Sequence, residues 1–413
     1  MNITRNNLLR LWPLLLAAAW MACGGTPAMD GGTGGGGGSG DGGLLLSFEP
    51  PSTTAVNNSI LVTVTGESFA TEGVAFPPGA ASGEPYFLDG WQVSFTHAVV
   101  VVDQVTLSEN PDLNPNDPSQ TGADVARAEG PWAVDLAKGG PLDAKELNGK
   151  AVALARLDGQ NLKSGNPSFD PTSKYALGYR LISARAGVYD VNLDAEAEAA
   201  FREMASHGWS VWLAGTATWR GDLGAPACRS TDSAYDFGRF PKSVSFSFGF
   251  RAPVDFKNCE NPELSPAGSR GVQTQAGAET TAQVTFHLDH PFWEALEEDA
   301  PLRWDILAAR KSVDAGAGAA MASLTEADLA FDFQAPKDAQ GAAIPWRTCG
   351  PALANERSAG TVAYDPVNVP VNPSGGSAGL KDLYDYMTYN LSTSGHLNND
   401  GLCFPARNYP SPR

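Results

Sequence analysis

Alternation of apolar and polar residues is clearest over residues 91–107, where odd positions are mostly apolar and even positions mostly polar. A repeat of two is typical of a β-strand that has one face in the core and the other towards solvent. Val100 and Val102 break the alternation, so we expect the middle of this strand to be covered on both faces. The length of the segment predicts a bent strand, or two strands in succession.

Shorter segments repeat this pattern along the chain. Further strands are predicted over residues 60–65, 132–136, 151–157, 175–181, 209–219, 244–250, 281–287 and 329–333. Apolar residues at helical spacing predict only short helices, over 194–206, 291–298 and 380–391. Abundant glycine (45) and proline (30) favour many turns. The sequence therefore predicts a mainly β fold, a large β-sandwich or barrel-like domain with a few short helices.

The first 22 residues have the pattern of a secretory signal peptide. Arg5 and Arg10 give a positive start, and the apolar run that follows is too short to span a bilayer as a mature helix. Cys23 follows the small Ala22, which resembles the lipobox of bacterial lipoproteins, where the cysteine is acylated. Trp20 stands where a leucine is usual, so an ordinary secreted protein cut nearby is the alternative.

The segment after Cys23 predicts a flexible tether, because residues 31–43 are almost entirely glycine. Gly24 and Gly25 follow the cysteine in place of the aspartate that retains lipoproteins in the inner membrane. We therefore expect an outer-membrane lipoprotein, on the periplasmic or the cell-surface side. The predicted organisation is a signal peptide (1–22), a lipid anchor and tether (23–43), a β-rich domain (44–340) and a C-terminal appendage packed on that domain (341–413).

The net charge limits the classes of partner. Cleavage after Ala22 removes two positive charges, from Arg5 and Arg10, and takes the net charge from −18 to −20. Such a surface repels nucleic acids and anionic lipid head groups, so nucleic-acid binding is not expected. It is compatible with metal cations, although an acidic surface also serves solubility alone.

Four cysteines remain once Cys23 is lipidated. They are Cys228, Cys259, Cys349 and Cys403. An even number in an oxidising compartment predicts two disulfides, and four cysteines allow three pairings. Proximity along the chain favours Cys228 with Cys259 and Cys349 with Cys403. The absence of any CxxC spacing argues against a zinc ribbon or a thioredoxin-like site.

The chain has five histidines, and two of them lie outside any obvious cluster. His207 ends a predicted helix, where the helix dipole favours it, and we interpret it as structural. His97 lies on the apolar face of the strand over 91–107, so its imidazole needs a buried partner. It is either a core histidine with a hydrogen-bond partner or a metal ligand.

The other histidines suggest a metal site. His287, Asp289 and His290 lie together at the end of a predicted strand, and His396 lies in a turn that an oxidised Cys403 would hold. Imidazole and carboxylate ligands suit copper or zinc. The alternative is that Asp289 caps a helix beginning at Pro291. The predicted site comprises His287, His290, Asp289 and His396, with His97 as a further member.

Two resemblances bear on these segments. Residues 88–91, 130–136, 285–290 and 396–403 resemble uncharacterised secreted lipoproteins of myxobacterial type, over much of the mature chain. A weaker similarity is to extracytoplasmic copper-binding proteins of methanotrophs, whose β-rich body uses histidines and an oxidised tryptophan. This second resemblance implies copper among the metals, and Trp91, on the strand of His97, as the corresponding tryptophan.

Two other motifs are weaker. Residues 112–117 offer oxygen ligands at alternate positions but lack the glycine and glutamate of a calcium loop, so calcium is not expected. Residues 375–379 read G-x-S-x-G without the buried strand that a nucleophile elbow requires. The leading hypothesis is a non-enzymatic lipoprotein with a copper or zinc site. The alternatives are a cell-surface interaction module without metal and a metal-dependent hydrolase.

Overall fold

A computed structural model describes residues 43–330 and 382–407, except for 53, 77–85, 88, 147–148, 160–168, 221–240, 294–301 and 316–321. Several predicted features lie outside the described residues. They are the leader, Cys23 and nearly all of the tether, Cys228, Cys349 and the G-x-S-x-G segment.

The described residues form eighteen strands and four α-helices. The strands are β1 (Leu45–Ser47), β2 (Ser59–Thr65), β3 (Trp91–Ser108), β4 (Asp124–Ala128), β5 (Trp132–Asp135), β6 (Leu142–Asp143), β7 (Lys150–Leu157), β8 (Lys174–Leu181), β9 (Val188–Asp190), β10 (Val211–Trp219), β11 (Ser243–Phe250), β12 (Val254–Lys257), β13 (Val272–Gln273), β14 (Glu279–Phe286), β15 (Ala322–Thr325), β16 (Gly395–Leu397), β17 (Gly401–Leu402) and β18 (Phe404–Arg407). The helices are α1 (Glu67–Glu72), α2 (Ala195–His207), α3 (Asp305–Ala315) and α4 (Leu383–Leu391), with 3-10 helices at Leu136–Lys138, His290–Phe292 and Glu326–Leu329.

Two mixed sheets contain these strands. The larger has twelve strands along the path β1-β9-β5-β3-β10-β11-β15, with β4, β8, β12, β13 and β18 branching from it. The smaller has the order β17-β16-β14-β2-β7-β6. Most pairs are antiparallel, and the parallel pairs are β1 with β9, β5 with β9, β11 with β15 and β2 with β14. The main hydrophobic core takes side chains from both sheets. The prediction of a mainly β, sandwich-like fold is confirmed.

Strand β3 organises the larger sheet. It is one continuous strand that pairs with β10 in its first half, β5 in its middle, and β8 and β4 in its second half. Val100 and Val102 lie in the main core, whereas Val99 and Val101 lie in a second core on the opposite face. The predicted double coverage is therefore confirmed.

Helix α2 covers this second face. Its buried residues Ala197, Phe201 and Met204 follow the helical spacing that predicted it. The carboxylate of Asp194 accepts hydrogen bonds from two backbone N–H groups of the first turn, and Gly208 ends the helix with φ of 70°. The second core therefore lies between α2 and the larger sheet.

The described C-terminal strands belong to both sheets. Strand β16 pairs with β14 in the smaller sheet, and β18 pairs with β12 in the larger one. The predicted appendage at 341–413 thus contributes members to the sheets over residues 395–407. Strands of two to four residues are too short to show a periodic pattern, which is why the sequence did not predict them.

A disulfide joins Cys259 to Cys403. The predicted pairs, Cys228 with Cys259 and Cys349 with Cys403, are therefore wrong. Antiparallel pairing places Lys257 of β12 opposite Phe404 of β18, which brings the two cysteines together across 144 residues of sequence. Proximity along the chain was a poor guide because a sheet pairs strands that are distant in sequence.

Two predicted elements differ from the structure. The segment predicted as a helix over 291–298 begins as a 3-10 helix, His290–Phe292, and residues 294–298 lie outside the described part. Leu329, predicted to begin a strand, instead ends the 3-10 helix Glu326–Leu329. None of the described helices is long and apolar enough to cross a membrane.

Candidate metal centre

Pairing between β14 and β16 brings three histidines together. Thr285 lies opposite His396, and His287 follows directly after β14 with its N–H donating to the Ser394 carbonyl at 2.9 Å. His290 begins the next 3-10 helix. One ring nitrogen each from His287, His290 and His396 lies within 4.8 Å of the other two. The structure therefore assembles three of the five predicted ligands into a group that could hold a metal ion.

His290 is buried and presents one nitrogen to this group. Its Nδ1 lies 2.8 Å from the hydroxyl of Thr393, and that hydroxyl donates its single proton to the Asn390 carbonyl at 2.7 Å. Thr393 must therefore accept from Nδ1–H, which leaves the lone pair of His290 on Nε2. Burial, with smaller contributions from the other two histidines, lowers the pKa of His290 well below its usual value. The imidazole is neutral, as a ligand requires.

His396 is buried, and the described residues around it compensate little for the loss of contact with water. It is 4 % exposed, and neither of its ring nitrogens has an aligned hydrogen-bond partner in the described part of the chain. Burial lowers the pKa of His396 well below its usual value, and the nearby backbone at Thr393 and Asp400 opposes this only partly. Burying an imidazole that has no aligned partner among the described residues is unfavourable, so this ring could serve as a ligand to a metal ion.

His287 lies at the outer side of the group, beside a carboxylate. Its Nε2 is 3.1 Å from Oε1 of Glu67 and 3.2 Å from the Asn399 carbonyl oxygen. Burial alone would lower the pKa of His287, but the contact with Glu67 outweighs it and raises the pKa to about 9. Burial raises the pKa of Glu67 to about 7, against the opposing effect of His287.

The rings are close but not yet in a coordinating arrangement. The His287 and His396 rings are parallel within 5°, with centroids 3.9 Å apart, whereas His290 is perpendicular to both. A metal lies in the plane of each imidazole that binds it, and ligand atoms in a tetrahedral site are about 3.4 Å apart. One of the two stacked rings therefore has to rotate before all three can bind a single ion.

Asp289 and His97 are not members of the three-histidine group. Oδ2 of Asp289 accepts a hydrogen bond from Trp293 at 3.1 Å, and its side chain makes no cap to the helix that follows. His97 lies near the second core, where its Nδ1 is 2.7 Å from Oδ2 of Asp135 and its ring stacks on Trp212. The structure therefore favours the interpretation of His97 as a core histidine with a partner.

The tryptophan beside the histidines is Trp293. Its ring stacks on His290 with centroids 3.7 Å apart. Trp91, which the copper-protein resemblance implies, is instead fully buried, and its indole N–H donates to Asp305 at 3.0 Å. The sequence contained a signal for this contact, because Trp293 follows His290 by three residues, the spacing at which side chains align in a 3-10 helix.

Glu67 is the residue that the sequence analysis missed. Strands β2 and β14 are parallel neighbours with Thr65 opposite Thr285, and both end at the same edge of the sheet. Two residues further along, this register places Glu67 beside His287. Nothing in the sequence alone pairs these strands, so the only signal in the sequence was a charged residue two positions after a buried strand.

No family model, curated protein or solved structure matches this chain. The function is therefore argued from the geometry of the site.

We expect the metal-depleted protein to lose about 2–3 kcal/mol of stability as the pH rises from about 7 to 9, at 1.36 kcal/mol per pKa unit. The folded protein keeps a proton on His287 up to pH about 9, whereas the unfolded chain releases it near 6.5. The stabilisation is therefore complete below pH 6.5 and is lost through pH 9. Urea denaturation in EDTA at several pH values measures it. His287→Gln should flatten this decline while the exposed control His207→Gln keeps it, and an unchanged decline in His287→Gln would contradict the assignment.

Proposed function

We propose that this chain is an extracytoplasmic lipoprotein, anchored in the outer membrane through Cys23, whose β domain binds one copper or zinc ion without catalysing a reaction. His287, His290 and His396 would hold the ion. The observation that carries the proposal is His396, a buried imidazole whose two nitrogens have no aligned hydrogen-bond partner among the described residues, close to two further imidazoles. A ligand set of nitrogens suits both metals, and the resemblance to copper proteins favours copper.

Charge around the site favours a cation. Glu67 and Asp289 both lie close enough to His287 to raise its pKa. His290 and His396 are buried, whereas His287 is half-buried, so an ion would approach from the side of His287. Because binding must displace a proton from His287, the affinity for metal is expected to increase as the pH rises towards 9.

Replacing His396 by leucine tests the proposal. We expect the full-length wild-type protein to bind one Cu²⁺ or Zn²⁺ per chain in equilibrium dialysis. Loss of a residue that only hydrogen-bonds to a metal ligand weakens binding about 10–100-fold, and His396→Leu, which removes a ligand itself, should weaken it by more. In EDTA the same variant should be as stable as wild type, or more stable by about 1 kcal/mol, because an unpaired buried imidazole has gone.

His207→Gln is the matched control, since His207 is exposed on α2 and should leave binding unchanged. A wild-type protein that binds neither metal would favour the interaction module without metal. Hydrolysis of ester or peptide substrates that EDTA abolishes would favour the metal-dependent hydrolase instead.

A further inference from the structure

We infer that Glu67 is a positioning residue of this site: together with the Asn399 carbonyl it keeps the proton of His287 on Nε2, so that Nδ1 faces the metal ion. The inference rests on the proposed function, because it assigns a role to a residue that acts on a proposed ligand. It adds a residue outside the three-histidine group and specifies which nitrogen of His287 binds.

The surroundings of Nε2 support this assignment. The Glu67 carboxylate oxygen and the Asn399 carbonyl oxygen lie 3.1 and 3.2 Å from it. A ring nitrogen between two acceptors keeps its proton, which leaves the lone pair on the other nitrogen. An ion on Nδ1 would lie across the ring from Glu67, so the carboxylate would act through His287 and not bind the ion itself.

His290 shows the same arrangement with a different partner. Thr393 accepts the Nδ1–H of His290 and leaves Nε2 for the ion. Histidines that bind metals generally donate their second N–H to a carboxylate, carbonyl or similar group, which fixes the tautomer and the orientation of the ring. Two of the three proposed ligands thus have partners that determine which nitrogen faces the site.

The backbone holds Glu67 in place under strain. Its φ is 62°, in the left-handed region that residues with a Cβ rarely adopt. The preceding Gly66 is tightly packed, since a Cβ there would lie 2.7 Å from that of Ala70, and the N–H of Glu67 donates to the Thr65 hydroxyl at 3.0 Å. Residues held in such conformations cluster at functional sites.

Oε1 of the Glu67 carboxylate is not engaged by any other described group. The N–H of His287 points more directly at Asn399, and Oε1 of Glu67 is buried beside it with no aligned hydrogen bond in the part of the chain that the structure describes. A carboxylate next to a ligand's N–H increases the electron donation of that imidazole to the ion. The arrangement therefore favours the doubly charged Cu²⁺ and Zn²⁺ over Cu⁺.

Glu67→Gln in the full chain, compared with Glu146→Gln, tests the role. Glu146 is the matched control, because it loses the same charge nearby but hydrogen-bonds to Ser68 and not to a histidine. Competition titrations should show about 10–100-fold weaker binding of Cu²⁺ and Zn²⁺ by Glu67→Gln, with a smaller change for Cu⁺. The Cu²⁺/Cu⁺ midpoint potential should rise. Glu146→Gln should match wild type, and Glu67→Asp should recover part of the loss.

A direct measurement does not depend on any variant. Nitrogen-15 NMR of the zinc-loaded wild-type protein should show metal on Nδ1 of His287 and a proton on Nε2. Metal on Nε2 of His287, or equal effects of Glu67→Gln and Glu146→Gln, would overturn the inference and leave the proposed function standing. A wild-type protein that binds no Cu²⁺ or Zn²⁺ overturns both.

Discussion

Removing the bond between Cys259 and Cys403 is expected to lower the free energy of unfolding by about 5 kcal/mol. The bond closes a loop of 144 residues, and cross-linking so long a loop strongly restricts the unfolded chain. Both cysteines are buried, so the alanine variants Cys259→Ala and Cys403→Ala introduce no new polar group into the core. Urea denaturation of the oxidised protein measures the change.

Bonded cysteines predict a specific pattern of non-additivity. Either single alanine variant already breaks the bond, so the double variant should be little less stable than each single one. Peptide mapping without reductant should recover residues 259 and 403 in one linked fragment. Additive losses in the double variant, or a linked fragment joining Cys403 to Cys349, would show that the pairing is different.

Asp135→Ala is expected to destabilise the protein by at least about 3 kcal/mol, because each buried donor left unpaired costs about 1–3 kcal/mol. The fully buried carboxylate of Asp135 accepts from the backbone N–H groups of Ala98 and Ala137 and from Nδ1 of His97. All three donors would lose their partner. Urea denaturation at neutral pH measures the loss.

Graded variants separate these contributions. Asp135→Asn keeps an oxygen for the backbone donors but places an amide near His97, so its stability should fall between those of wild type and Asp135→Ala. Asp143→Ala, at an exposed carboxylate paired with Lys150, should leave the denaturation midpoint nearly unchanged. If Asp135→Ala behaves like Asp143→Ala, the carboxylate does not hold this part of the sheet together.

Periodicity predicted the long elements well because each of them buries one face. Strands β3 and β8 and helix α2 were predicted from alternating or helical apolar positions, and their buried residues follow those patterns. Short strands such as β16 and β18 are fixed by pairing with distant segments, and three or four residues hold too little pattern to predict. The error in disulfide pairing has the same origin, since β18 brings Cys403 to Cys259.

Only those parts of the candidate site that lie close together in the sequence, or that stand out by residue type, could be predicted. His287 and His290 were adjacent at a strand end, and scarcity of histidine pointed to His396. The partners were not visible, because Glu67 and Asp135 reach the histidines through pairing of β2 with β14 and of β3 with β5. The sequence analysis named no partner for His97, whereas the register places Asp135 opposite Val99 and within reach of that ring.

The pairing of β14 with β16 also determines when the three imidazoles can first meet. Thr393, which orients His290, follows it by 103 residues, and His396 comes later still. A ribosome that adds roughly 5–20 residues per second needs about 5–20 s to make that stretch. During this interval the growing chain contains only two of the three histidines of the site, His287 and His290. An ion bound by all three histidines would therefore be acquired only after the last strands have paired, and would not guide the earlier steps of folding.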